Sequence, residues 1–238
     1  MGEKETLKLW LETGKGAVFF GGAGVSTESG IPDFRSQDGL YSQKFRHPPE
    51  TMLSIGFFMS DTAEFYEFYR SKLHHPDARP NRAHRALARL EREGRLSAVI
   101  TQNVDGLHQL AGSRNVIELH GSAARNHCMD CGEKYGADYV IGAPGVPKCK
   151  CGGTVRPDIV LYGEQLDPGV AARALEAVAR ADVLLVGGTS LTVYPAAGFV
   201  NAYRGGRLAL INRDATPYDG FANLVIRDSI GEALAAFA

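Results

Sequence analysis

Five short apolar runs constrain this chain most. They are Ala17-Val18-Phe19-Phe20, Leu96-Ser97-Ala98-Val99-Ile100, Val116-Ile117-Glu118-Leu119, Val183-Leu184-Leu185-Val186 and Leu208-Ala209-Leu210-Ile211. Each is too short for a buried helix and too continuous for a strand with one wet face, so each reads as a strand covered on both sides. Helix-like stretches lie between them. Leu7, Trp10 and Leu11 recur at helical spacing, and Asp61 to Leu73 carries Phe65, Phe68 and Tyr69 on one stripe. Asn81 caps a stretch with Ala83, Ala86, Leu87 and Leu90 that ends near Gly94. Val170 to Ala181, Pro195 to Tyr203 and Ile230 to Phe237 read as helices, and Val25 to Ser29 as a helix opening. Residues 36–60 are turn-rich, and Ile159 to Tyr162 reads as extended. Strands alternating with helices predict an α/β fold around a parallel sheet. The chain's 238 residues suit one large or two small domains.

Charge narrows the function. With 26 Lys and Arg against 27 Asp and Glu, the formal charge is −1. That excludes a binder whose affinity for nucleic acid comes from bulk basicity. Eight basic residues do fall between Arg70 and Arg95, but Arg82, Arg85, Arg89 and Arg92 lie opposite an apolar stripe and read as a solvated helix face. No apolar run is long enough to span a bilayer. Met1 to Lys8 is charged and lacks a signal-peptide core, so a cytoplasmic location is expected.

Ligands of a parallel sheet bind beyond the carboxyl ends of its strands. Gly22-Ala23-Gly24 follows the first strand, where backbone can approach a phosphate. Thr27 stands where the dinucleotide fingerprint has its third glycine, so alone the segment is equally a tight turn. Thr101 to His108 sets amides and a carboxylate after the second strand, either as ligand contacts or as a polar loop. His120 ends the third strand, with the intrinsic pKa of a general base or a structural role. Between Ser122 and Thr154 the aliphatics thin, and all four cysteines appear as Cys128-x-x-Cys131 and Cys149-x-Cys151, with seventeen residues (132–148) between the pairs. Two thiolate pairs suit one closed, structural zinc site, and His127 is a possible substitute ligand. The second pair is shorter than usual, which leaves its geometry open.

Together these segments resemble the sirtuin family, the NAD-dependent protein deacylases, of a bacterial or archaeal type. The matches are Gly22 to Ser26, Gly30-Ile31-Pro32-Asp33-Phe34-Arg35, Thr101 to His108, Glu118-Leu119-His120-Gly121, the cysteine pairs, Arg156 to Val160 with Tyr162-Gly163-Glu164, Gly188-Thr189-Ser190-Leu191, and Ile211-Asn212. The resemblance implies an atypical Rossmann sheet covered by helices (1–36, 80–121 and 155–238). It also implies a smaller domain built from a helical module (37–79) and a zinc-binding module (122–154).

NAD is implied as co-substrate. Ala23, Ser26 and Thr27 would line its phosphate and ribose, Phe34 would shield the reacting sugar, and Arg35 would hold the loop and diphosphate. Gln102 and Asn103 would contact ribose, and Val104 and Asp105 the nicotinamide amide. Gly188, Thr189, Ser190, Asn212 and Ser229 would bind the adenosine end. His120, Asn103 and Asp105 are the implied catalytic set, His120 taking a ribose hydroxyl proton so that the oxygen attacks an imidate. The acyl-lysine protein substrate would enter as a strand between Val160, Tyr162 and Gly163 on one side and Leu191, Val193 and Tyr194 on the other. Products would be lysine, nicotinamide and O-acetyl-ADP-ribose. Members that remove acidic acyl groups carry a Tyr and an Arg three apart; here Tyr66 and Tyr69 stand at that spacing, which implies neutral acyl groups. A monomer with no membrane or nucleic-acid partner is expected. ADP-ribosyl transfer to protein and a non-catalytic, NAD-sensing zinc module are the alternatives.

Overall fold

A computed structural model describes residues 2–36 and 39–238. Gln37 and Asp38, where the helical module was expected to begin, lie outside the described residues, as does Met1. In chain order the elements are α1 (Glu3–Thr13), β1 (Ala17–Gly21), α2 (Pro49–Met52), α3 (Ile55–Ser60), α4 (Thr62–Lys72), α5 (Arg82–Arg92), β2 (Leu96–Thr101), α6 (Leu107–Leu110), β3 (Val116–Glu118), β4 (Gly121–Cys128), β5 (Lys134–Gly136), α7 (Ala137–Gly142), β6 (Val155–Ile159), α8 (Pro168–Arg180), β7 (Val183–Gly187), β8 (Leu208–Ile211), β9 (Leu224–Ile226) and α9 (Ile230–Ala233).

The five apolar runs form neighbouring strands of a six-stranded parallel sheet ordered β3-β2-β1-β7-β8-β9. Strand alternation divides its side chains between two cores. Phe19, Val99 and Leu185 join Leu7, Leu11, Leu87 and Leu90 on the α1/α5 face. Phe20, Ile100 and Val186 join Ala174, Val178 and Phe199 on the α8 face. Each Val, Leu, Ile or Phe among them contributes ~1.5–3 kcal/mol by leaving water. The arginines of α5 lie outside: Arg82 pairs with Glu232 at 2.5 Å and Arg89 with Glu93 at 2.8 Å.

A second, antiparallel sheet has the order β5-β4-β6. Its core joins Phe58, Phe65, Tyr66 and Tyr69 of α3 and α4 to Val140, Val155, Ile159 and Leu161. The sheet therefore reaches from Gly121 to Ile159, past both ends of the 122–154 segment. Gly121 sits at φ +74°, and a Cβ there would strike the Asp158 carbonyl, so only glycine lets β4 start against β6.

Several local readings differ from the structure. Residues 25–29 and 196–202 wind as 3₁₀ turns (Ala23–Val25, Thr27–Ser29, Ala196–Ala202), the second ended by Gly30 in the left-handed region. The turn-rich stretch contains α2 and α3, and the extended segment at 159–162 belongs to β6 only through Ile159. His120 lies in the two-residue turn between β3 and β4 rather than in a strand.

Candidate active site

The parallel order reverses direction between β1 and β7, and at the carboxyl ends of these strands opens a cavity of about 720 Å³. Its floor is two glycine turns packed backbone to backbone. Gly24 N–H donates to Gly188 O at 2.8 Å, and a Cβ on Gly24 would lie 2.8 Å from Gly188 Cα. Gly188 itself sits at φ +61°. Asn81, the cap of α5, ties this turn down by donating from Nδ2 to Val25 O at 2.7 Å.

All the residues expected to hold the cofactor line this one cavity: Ala23, Ser26, Thr27, Phe34, Arg35, Gln102, Asn103, Val104, Asp105, His120, Gly188, Thr189, Ser190, Asn212 and Ser229. Polar wiring fixes them. Asn103 Nδ2 donates to Ser26 Oγ at 3.1 Å, and Ser26 Oγ donates to the Asp105 carboxylate at 2.6 Å. The other Asp105 oxygen accepts from Leu107 N at 2.9 Å, which holds the loop after β2. Gln102 Nε2 reaches Thr189 Oγ1 at 3.1 Å, and Thr189 and Asn212 exchange bonds of 3.2 and 2.6 Å. Glu28 links the first turn to the start of α9, accepting from Ser229 Oγ and Gly231 N at 3.1 Å each. Phe34 stands edge-on to Tyr41 at 5.8 Å, with the Arg35 guanidinium 5.2 Å from the same ring.

His120, the expected base, lies among them. Its Nδ1 is 2.9 Å from Gln102 O. A carbonyl can only accept, so Nδ1 carries the proton and the lone pair is on Nε2. Burial lowers the His120 pKa below 6.5, and the bond to Gln102 only partly offsets this, so the ring is neutral at pH 7. Glu118 is engaged elsewhere, with Arg125 at 2.8 Å and Gln109 at 2.7 Å. Behind Asp105 lies His84, which burial lowers to about 4 despite the pull of the Asp105 charge.

The other lips of the cavity carry Val160, Tyr162, Gly163, Val193 and Tyr194. Leu191 departs from them: at φ +54° its side chain turns into the core and is 2% exposed. Val160 O, Gly163 N–H and Val193 N–H have no partner among the described residues, as strand addition requires. Tyr66 and Tyr69 are buried away from the cavity, with hydroxyls on Val155 O and Ala123 O. Arg70 is tied to Val140 O at 3.0 Å and Gly145 O at 2.6 Å. Arg213 and Asp228 also line the cavity and were not singled out in the sequence. Arg213 directly follows Asn212 beyond β8, where the crevice rule points.

The four cysteines converge although they come from two distant turns. Their sulfurs all lie within 4.8 Å of one another, with Cys128–Cys151 and Cys131–Cys149 at 3.5 Å. Four thiolates around zinc at ~2.3 Å would sit ~3.8 Å apart, so the set fits a tetrahedral ion. The short Cys149–Cys151 pair is thus no obstacle, and His127 is not in the cluster. Four sulfur ligands leave no position for a reacting water, so such a metal braces the small sheet.

Comparison with known proteins agrees with this geometry. A family model described as the Sir2 family matches residues 22–195. An NAD-dependent protein deacetylase of Clostridium acetobutylicum is 56% identical over 232 residues, covering 96% of this chain and 95% of the relative. That of Cutibacterium acnes is 55% identical, covering 98% and 96%. Among solved structures, a Sir2 homologue in complex with NAD is 42% identical, with a TM-score of 0.87 over 98% of this chain and 91% of the other. A Sir2 protein with a deacetylated p53 peptide and 3′-O-acetyl-ADP-ribose is 40% identical, with a TM-score of 0.89 over 99% and 96%.

Proposed function

This chain belongs to the Sir2 family, and from that premise we infer that it is an NAD-dependent protein-lysine deacetylase, with NAD as co-substrate and a structural zinc. The observation that carries the reading is the neutral His120 imidazole, its Nδ1–H spent on Gln102 O, lining the same cavity as the Ser26–Asn103–Asp105 chain.

Bound NAD supplies an anomeric carbon, with nicotinamide as leaving group, that accepts the acyl oxygen. The chain supplies the rest. Ala23, Ser26, Thr27 and Arg35 hold the diphosphate and its ribose. Gly188, Thr189, Ser190, Asn212 and Ser229 hold the adenosine end. Val104 and Asp105 hold the carboxamide, with Ser26 keeping the Asp105 carboxylate oriented. Gln102 and Asn103 position the reacting ribose, and Phe34 keeps water off it. Nε2 of His120 takes the ribose hydroxyl proton and so activates that oxygen. Val160, Tyr162 and Gly163 face the peptide backbone on one side, and Val193 and Tyr194 on the other. Leu191 contributes through its backbone alone.

The proposal extends to neutral acyl groups, a monomer, a cytoplasmic location and no nucleic-acid partner. Four clustered thiols suit a reducing compartment, and Arg82, Arg85 and Arg89 of α5 meet carboxylates or a carbonyl rather than forming an open basic stripe. The division at 1–36, 80–121 and 155–238 against 37–79 and 122–154 belongs to it as well. The antiparallel sheet argues for extending the small unit from Gly121 to Leu161.

The deciding experiment incubates the protein with an acetyl-lysine peptide, with and without NAD, and follows peptide mass and free nicotinamide. Acetyl loss only with NAD is expected. Nicotinamide release with a heavier protein product would mean ADP-ribosyl transfer instead, and NAD binding without turnover would mean a sensor.

A further inference from the structure

We propose that the ion pair between Arg156 and Glu164 is a positioning device for the substrate-facing edge, setting how tightly the acyl-lysine peptide is held while taking no part in bond making. The inference rests on the deacetylase reading for the identity of the occupant.

The pair is built differently from the surface ion pairs of this chain. Arg156 and Glu164 side chains are only 13% and 24% exposed. They meet as a fork, NH1 to Oε1 at 2.8 Å and NH2 to Oε2 at 2.9 Å. A bidentate guanidinium–carboxylate contact fixes orientation as well as distance. Further bonds lock the segment between the two residues. Arg156 NH2 donates to Ile159 O at 3.0 Å, and Leu161 N–H donates to Glu164 Oε2 at 2.8 Å. Glu164 N–H closes the turn on Leu161 O at 3.0 Å, with Gly163 at φ +90°. The guanidinium carbon also lies 5.6 Å from the Phe58 ring, against the aromatic core of the small unit. Burial alone would raise the Glu164 pKa, but the bonds from Arg156 and Leu161 hold it below the usual carboxylate value.

The consequence falls on the peptide lip. Val160 N–H is spent on His120 O at 3.0 Å, Tyr162 N–H on Leu53 O at 2.9 Å, and Leu161 N–H on Glu164. What faces the cavity unpaired is Val160 O and Gly163 N–H. By engaging Ile159 O and Leu161 N–H, the ion pair holds the turn that leaves those two groups to a substrate strand. Strand addition draws its affinity from main-chain bonds, and a pre-ordered edge removes the cost of ordering it on binding. Neither Arg156 nor Glu164 bonds to a side chain assigned to NAD, and the segment touches that set only where Val160 N–H meets His120 O, so the effect falls chiefly on the peptide.

Steady-state kinetics of the zinc-loaded full chain test this with Arg156→Lys, which keeps the charge but loses the fork, and with Glu164→Gln. Each should raise KM for an acetyl-lysine peptide by roughly tenfold while leaving KM for NAD and kcat within about twofold. The double variant Arg156→Gln/Glu164→Gln should be no worse than either single one, because one unit is broken only once. An unchanged peptide KM in a folded variant would overturn the proposal. So would KM for peptide and NAD rising together, or loss of folding in both single variants, since each marks a merely structural pair. If wild type shows no NAD-dependent deacetylation, the functional reading fails by itself. Anisotropy of a labelled acetyl-lysine peptide then still asks whether Arg156→Lys weakens binding.

Discussion

At the scale of single residues, two side-chain environments make sharp predictions. His120 works as a base only when neutral, and burial sets its folded pKa below 6.5. The activity limb that reports it should therefore lie on the acid side: flat near neutrality and falling as pH drops below 6.5 through the depressed value. A kcat/KM profile with its acid limb above pH 6.5 would contradict this. His120→Ala should lose at least ~100-fold in kcat while NAD binding, read by calorimetry, survives. The second environment concerns the acyl group. A succinyl carboxylate would need a cation or hydroxyl free to receive it. Tyr66, Tyr69 and Arg70 all spend their donors on backbone carbonyls and none lines the cavity. Paired acetyl- and succinyl-lysine peptides should differ at least ~10-fold in kcat/KM in favour of acetyl, the scale of one unmet charge-assisted bond. Equal rates would refute it. The sequence motifs already marked His120 and Tyr66. What they could not show was wiring across the fold, such as the 79-position separation closed by the Ser26–Asp105 bond.

At the scale of elements, legibility followed core burial. The five parallel strands and α5 stood out because burial on both faces, or on one helical stripe, leaves a pattern in the sequence. β9 escaped notice because Leu224-Val225-Ile226 is three residues long at a sheet edge. β4 escaped because its run Gly121 to Cys128 holds Ser, Asn, Arg and His and draws its stability from partners rather than from an apolar face. The 3₁₀ turns at Thr27–Ser29 and Ala196–Ala202 read as helix because composition does not distinguish the two kinds. The small sheet also depends on its four sulfurs. β5 has three residues, and the loop from Pro147 to Gly153 has few apolar side chains to bury. Removing zinc by a chelator should therefore free amide exchange in 126–136 and 147–155 by at least ~100-fold, while β1 and β7 keep their protection. Uniform protection after metal loss would show that the sheet holds without the ion.

At the scale of the whole molecule, the cavity wall is drawn from both units. Ala23, Gln102, Thr189 and Asn212 come from the parallel sheet, whereas Leu53, Lys72, Leu73 and Ile159 come from the helices and strand around the small core. A ligand filling it must couple the two, since it binds the assembled wall and not either half unfolded. At 100 times its Kd, NAD should stabilise the folded chain by ~2.7 kcal/mol. For a chain of this size that corresponds to a rise in Tm of ~5–10 °C. The molecule offers a readout on each side. Trp10, the single tryptophan, packs partly buried against the α1/α5 core and reports the large unit. Amide exchange in α4 reports the small one. If NAD bridges the units, Trp10 fluorescence and α4 protection should shift together, and His120→Ala should show the same shift because it removes the base and leaves the wiring around the nucleotide. A shift seen by Trp10 alone would mean that the nucleotide rests on the parallel sheet and the small unit closes without it. The dry slot required to present one sugar carbon to an acyl oxygen would then have to be formed by the peptide instead.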